Sequence, residues 1–228
     1  MAKIRKFAGF IVVLFALTTS FNQSYAQSYY VEEPRTFFGG LIAGGNFTQV
    51  DGDNYAGYHK VGMNVGGVVY TRFTNYLAAS LEILYSEKGS RGHRSQLSNN
   101  RVFELRRYNI NLNYAEVPIM LNYFDKHRAN FGAGLSYSQL ISSKESVETN
   151  NTTFNDTINF DRYPFKKYDL NFILGGSLKL VKGLHLNLRF QYSLLPVRKT
   201  IYPELGRAEQ YNNVWTLRLV YLFGTEDK

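Results

Sequence analysis

The chain has no cysteine, a single tryptophan and five prolines in 228 residues. Without cysteine it can hold neither a disulfide nor a thiolate-bound metal. After residue 19 no apolar run approaches the ~20 residues that a spanning helix requires. Helix-length periodicity of 3.6 is missing from the same region. Acidic residues are also few, 18 against 26 Lys and Arg, for a formal charge of +8. Part of that excess belongs to the first residues. Removing residues 1–26 takes three positive charges and no negative ones, leaving +5, which is too modest to call for nucleic acid.

What is present begins with an export signal. Lys3, Arg5 and Lys6 precede a 13-residue apolar run, Phe7 to Thr19, and Ser24-Tyr25-Ala26 places small residues at −3 and −1 of a cut after Ala26. This is the layout of a cleaved secretory signal, and the run is short for a membrane anchor. The expected organisation is a signal peptide at 1–26, a short periplasmic arm at 27–35, a β-domain at 36–224 and a tail at 225–228.

Period-two alternation fills the remainder. In LHLNLRFQYSLL, Leu184, Leu186, Leu188, Phe190, Tyr192 and Leu194 share one face, while His185, Asn187, Arg189, Gln191 and Ser193 share the other. WTLRLVYLF alternates likewise from Trp215 to Phe223. Six more strands read near 36–48, 60–72, 76–88, 109–124, 129–141 and 167–181. They run to lengths that exceed the usual 5 or 6 residues of soluble strands and suit a tilted membrane crossing of about 9 to 11. Strand 109–124 changes phase. Ile110, Leu112 and Tyr114 alternate in one register and Ala115, Val117, Ile119 and Leu121 in the other, so a bulge near Tyr114–Ala115 is expected. Pro118 also removes a ladder donor.

Connections at 72–76, 124–129 and 181–184 are short. Those at 49–59, 89–108, 142–166 and 196–213 are long. Short periplasmic turns, long outer loops and an even strand count describe an outer-membrane barrel. A soluble eight-stranded ligand-binding barrel is the rival, with its apolar face turned inward. Aromatic placement favours the membrane. Tyr85, Tyr137, Tyr168, Tyr192 and Trp215 fall at the long-loop ends of apolar faces, and Tyr123, Phe131, Tyr221 and Phe223 at the short-turn ends. The expected fold is therefore an all-β, eight-stranded, antiparallel up-and-down transmembrane barrel.

Such a barrel is just wide enough to be filled by side chains. Lys60, Lys88, Lys179, Arg189 and Arg218 then share the lumen with Glu82, Glu116 and Asp169. Charges so buried persist when paired. A polar plug is the expected outcome, with a narrow ion or water path as the alternative.

The stretch FGGLIAGGNFTQVDGDNYAGYHKVGMNVGG resembles the start of PorT-like outer-membrane β-barrel proteins. LEILYSEKGS (81–90), FGAGLSYS and NYAEVPIMLNY (113–123), with its Tyr–x–Glu–x–Pro pattern, are similar to later strands of that family. The resemblance implies a barrel in the outer membrane, with one branch of the family linked to a protein-secretion and gliding apparatus. Trp215, Leu217, Leu219, Tyr221 and Phe223 are similar to the C-terminal signal read by the barrel-assembly machinery, although GTEDK follows Phe223.

Sites of chemistry are sparse. Asp51 and Asp53 in VDGDN suggest a calcium loop, but a loop starting at Asp51 would have Tyr55 and Gly62 at positions that need oxygen ligands. A hairpin turn is the better reading. His59, His93, His127 and His185 show no metal-ligand spacing. His59 with Asp53, and His93 with Ser90 or Ser95, are the sequence-local options for a lipid-modifying enzyme. No catalytic, metal or cofactor site is expected. Loop 89–108 carries Arg91, Arg94, Arg101, Arg106 and Arg107 against a lone Glu104, a composition that fits either a plain solvated loop or a contact with lipopolysaccharide phosphates. The expected partners are outer-membrane lipid and lipopolysaccharide, the assembly machinery, and an envelope protein the sequence does not name.

Overall fold

The computed structural model describes residues 37–53, 57–92, 95–98, 104–125, 129–151, 153, 155 and 158–223. The expected signal peptide, arm and C-terminal tail lie outside them. Eight long strands form the wall: β1 (Phe37–Asp53), β2 (Lys60–Arg72), β3 (Leu77–Arg91), β5 (Glu104–Phe124), β6 (Ala129–Thr149), β7 (Tyr168–Val181), β8 (Leu184–Ser193) and β9 (Gly206–Leu222). A two-residue strand, β4 (Gln96–Leu97), lies against the outer end of β5. Every pairing is antiparallel between neighbours, and β1–β9 and β3–β5 close the ring.

The register defines the barrel's shape. Following paired residues once around leads from Phe38 through Tyr70, Ser80, Met120, Gly134, Ile173, Gln191 and Val214 to Thr48, ten residues farther along β1. A strand spacing of about 4.8 Å and a rise of about 3.3 Å per residue turn that stagger into a tilt of about 40°. On β1 the outward apolar face spans Phe37 to Phe47. At this tilt it covers about 25 Å, the height of an outer-membrane hydrocarbon band.

Both aromatic belts are built. Trp215, Tyr137 and Tyr168 stand exposed at the outer edge of the band, and Tyr123, Phe131, Tyr221 and Phe223 at the periplasmic edge. Phe190 packs on Trp215 with centroids 5.1 Å apart, and Tyr76 stacks on Tyr123 at 6.3 Å. Trp215, Leu217, Leu219 and Tyr221 form one outward row of β9. Phe223 follows just past the strand's end, its N–H donating to Gly39 O at 2.8 Å.

Several strand boundaries differ from expectation. β1 continues to Asp53, β3 to Arg91 and β6 to Thr149, while β5 starts earlier, at Glu104, and β9 at Gly206. The long loops are thus partly strand. β5 and β6, at 21 residues each, rise well above the membrane. The bulge expected in β5 is not there. Inward and outward residues alternate without a break from Tyr108 to Tyr123. What changes is the surroundings. Ala115, Val117, Ile119 and Leu121 face lipid, whereas Ile110, Leu112 and Tyr114 face an apolar interior above the membrane. The register irregularity at this level falls on β6, where Ile141 is the extra residue between Leu140 and Ser142. Pro118 acts as expected, since the β3–β5 ladder skips from Leu81–Ile119 to Leu84–Glu116.

Candidate functional site: a sealed lumen and an extracellular crown

The lumen has three layers. Nearest the periplasm, Ile42, Val68, Tyr70, Ala78, Leu84, Val220 and Leu222 form an apolar cluster, with Phe38 and Phe124 against it. The Arg72 guanidinium covers this end, 5.1 Å from the Phe38 ring centroid and 5.9 Å from that of Phe124.

Above it lies the polar layer, in two parts. Glu82 of β3 is gripped from both sides. Arg189 of β8 donates Nη1 to Oε2 at 3.0 Å and Nη2 to Oε1 at 2.7 Å. Arg218 of β9 donates Nη1 to Oε2 and Nη2 to Oε1, both at 2.9 Å. Arg218 Nε donates to Asn187 Oδ1 at 2.7 Å. The paired residue on β1 is Gly44, where an added Cβ would lie 2.4 Å from Arg218 Cβ. Glycine there lets the arginine lie across the wall.

The second part inverts the charge ratio. Lys88 Nζ is 3.5 Å from Glu116 Oε2 and 3.9 Å from Asp169 Oδ2. Gln191 Nε2 and Ser136 Oγ donate to Glu116 Oε1, the latter at 2.8 Å. Asn212 Nδ2 donates to Asp169 Oδ2 at 2.9 Å. One carboxylate thus serves two cations below, and one cation serves two carboxylates above. The three cations and three carboxylates balance only when both parts are taken together. All six are buried, with Lys88 at 0% exposure.

The outermost layer is a crown standing on the barrel. Val50, Leu105, Tyr108, Ile110, Leu112 and Tyr114 from the strands meet Phe165, Val197, Ile201 and Leu205 from the connections, all buried. Arg198 is its keystone. Its Nη1 and Nη2 donate to Glu145 Oε2 and Oε1, both at 2.8 Å, its Nε to Gln210 Oε1 at 2.8 Å, and Nη1 also to Tyr163 O at 3.1 Å. The Tyr108 hydroxyl donates to Glu145 as well, and the guanidinium lies 3.8 Å from the Phe165 ring centroid.

Of the residues expected to share the lumen, six do. Lys60 is buried but sits at the crown's base, where it donates to Asn111. Lys179 is a correction. It lies half-buried near the periplasmic end of β7, paired across the ladder with His185 and in the same register row as Val220 and Ile42 of the lower apolar layer, away from the six lumen charges. In the basic loop, Arg94 and Arg101 lie outside the described residues. Arg91, Arg106 and Arg107 are exposed, and Arg107 pairs with Glu148 at 3.3 Å. Arg198, Glu145 and Tyr108 were missed. They sit in the long connections 89–108, 142–166 and 196–213, outside the strands that period-two alternation marks, and the phase change at Tyr114–Ala115 was the one signal of an apolar interior above the membrane.

Of VDGDN, Val50 to Asp53 form the outer end of β1 and so are strand rather than turn, and Asn54 lies outside the described residues. Gly52, at φ +95°, sits at the register irregularity between β1 and β9. A Cβ there would meet Glu209 O at 2.1 Å. Asp51 accepts from Gln49 Nε2 at 2.7 Å and from Asn213 Nδ2 at 3.2 Å. Among the described residues no group of three His, Cys, Asp or Glu gathers as a metal site would require. His93 and His127 lie outside the described residues.

A closed antiparallel ring with an apolar outer band, two aromatic belts and a paired polar interior defines an eight-stranded outer-membrane β-barrel. Residues 18–198 match the model of the outer membrane protein beta-barrel domain family, and the chain belongs to that family. The structure adds the last strand, β9, which the match does not reach. Similar solved structures include Ail, the attachment invasion locus protein of Yersinia pestis, at 12% identity and TM-score 0.44, covering 83% of this chain and 100% of that one. Neisserial surface protein A matches at 10% identity and TM-score 0.44, covering 83% and 99%. OprG of Pseudomonas aeruginosa matches at 10% and 0.42, covering 83% and 95%. No curated protein matches the chain.

Proposed function

We propose that this protein is a non-enzymatic interaction barrel of the cell envelope, in which the lumen is a structural plug and the crown is the working surface. The observation that carries this reading is the burial of all six lumen charges between two apolar layers. A solute path needs polar groups in contact with water, and a plug needs them paired and dry. The crown has the opposite character, a packed core under a polar exterior raised clear of the membrane, which suits contact with another molecule.

The similarity of residues 81–90 and 113–123 to PorT-like proteins supports an accessory role in a secretion or gliding apparatus. Arg91, Arg106 and Arg107 supply exposed forked donors for lipopolysaccharide. Arg107 stands about 20 Å above Ala115 on the tilted strand, so it addresses anionic groups of the saccharide rather than those at the lipid surface. The outward row from Trp215 to Phe223 serves recognition during assembly. Export by the predicted signal peptide is part of the same reading.

Two measurements test it. The refolded protein in a planar bilayer is expected to pass no steady single-channel current, and a regular conductance would establish the narrow pore instead. Affinity capture from detergent-solubilised outer membranes is expected to recover a defined envelope partner that is lost when the crown is loosened by Arg198→Met. Altered lipid A in a deletion strain, restored by the wild-type chain, would replace this reading with a lipid-modifying enzyme.

A further inference from the structure

The outer half of β6 has a strand neighbour on one side only. Its ladder with β5 extends to Thr149, but its ladder with β7 ends at the Gln139–Tyr168 pair. One more backbone bond, from Leu140 N–H to Lys167 O at 2.7 Å, continues that side. From Ile141 to Glu148 no backbone partner lines this edge among the described residues.

Thr149 shows which way the edge's polar groups point. Its N–H donates to Asn155 Oδ1 and its C=O accepts from Asn155 Nδ2, both at 3.1 Å. The asparagine amide stands where a peptide group of a further strand would stand. Backbone direction alternates along a strand, so the N–H and C=O of Ser143, Glu145 and Val147 face the same way as those of Thr149. Glu145 is held by Arg198 and Val147 packs on the crown core, so this row is rigid before anything binds.

We infer that the Ser143–Val147 edge is a docking site for an extended segment of a different protein, added to the crown as one more strand. A row of donors and acceptors repeating about every 6.6 Å is matched by another backbone in β conformation. Charge narrows the partner's chemistry. Lys144 is exposed and has no ion pair among the described residues, whereas Glu148 is already paired with Arg107. An acidic side chain facing Lys144 completes a cross-strand pair. A second copy of this chain fits poorly. Copies share one orientation in the membrane, and strands tilted about 40° in the same sense cross at about 80° when two outer walls meet. The inference rests on the interaction reading above and specifies its surface.

The test uses the whole chain in phospholipid nanodiscs and a fluorescein-labelled peptide of alternating valine and serine with one central aspartate. Saturable binding is expected, absent with empty nanodiscs, together with at least about tenfold slower amide exchange at Ser143, Glu145 and Val147. Replacing the peptide's aspartate by lysine should weaken binding several-fold. Ser143→Pro removes an edge donor that β5 does not use, so it should abolish binding while the barrel keeps its folded mobility on gels. Unchanged exchange at the three amides in the presence of peptide overturns the inference, whether or not the proline variant folds. So does undiminished binding by a folded Ser143→Pro. Disulfide-linked copies of Ser143→Cys in native membranes would assign the edge to self-association instead. A partner captured from the envelope whose binding survives Ser143→Pro would keep the interaction reading and remove this edge from it.

Discussion

Leu112 and Leu121 lie nine residues apart on the same strand and face opposite environments. Leu121 points into lipid, 59% exposed on the isolated chain, and Leu112 points into the crown, 0% exposed. Between them the protein turns itself inside out. In the membrane the apolar side chains are outside and the charges inside; above it, the apolar side chains are inside and the polar ones outside. The cause is the solvent. Lipid offers no hydrogen bonds, so the barrel pairs its polar groups internally. Water does, so the crown hides its apolar groups as a soluble domain does. One strand serves both halves because its alternation holds from Tyr108 to Tyr123 while the residues placed on each face change.

The comparison predicts that the two halves break in different ways. The largest effect is expected at Glu82. Glu82→Ala leaves Arg189 and Arg218 facing each other without their shared carboxylate, and truncating one member of a buried ionic set costs about 3–5 kcal/mol. The measurement is the urea midpoint of the refolded protein in lipid vesicles. An unchanged midpoint would mean that water reaches the two arginines and the plug is not dry.

Next comes Arg198→Met, which deprives Glu145 of both its guanidinium bonds. A loss of about 3 kcal/mol is expected, confined to the crown. Limited proteolysis should cut between residues 194 and 205 while the gel mobility of the barrel stays that of the folded protein. Simultaneous loss of both signals would show that crown and barrel fold as one unit.

Leu188→Arg puts a charge on the lipid face of β8, where Leu188 is half exposed to the bilayer. The expected cost is about 2–4 kcal/mol in vesicles. Asn187→Ser, one position away on the lumen side, should cost less, because Ser177 and Arg218 lose one amide partner and keep room for a replacement.

The smallest and sharpest contrast is a pair of leucine-to-phenylalanine changes. Leu188→Phe enlarges a side chain that faces fluid lipid and should leave the urea midpoint within error. Leu112→Phe enlarges one in a packed core and should cost about 1–3 kcal/mol. Equal effects would mean that the crown packs no better than lipid does.

Alternation of the kind seen in LHLNLRFQYSLL and WTLRLVYLF determined, without any structure, where the strands lie and which side chains share a face, and the aromatic positions marked the two belts. These are properties of residues two apart, and the bilayer's height sets how many must follow one another. It also placed Glu82, Lys88, Glu116, Asp169, Arg189 and Arg218 on the inner face. Which of them meet was decided by the closed register alone. Glu82 lies 107 residues from Arg189 and 136 from Arg218, and only a stagger of ten residues around the ring brings all three to one height. The crown was decided the same way. Arg198 and Glu145 are 53 residues apart in stretches with no periodic pattern, and nothing local marks either as buried. Chain order records which face a side chain takes; only the closed sheet and the solvent on each side of it fix whether that face meets lipid, water or another charge.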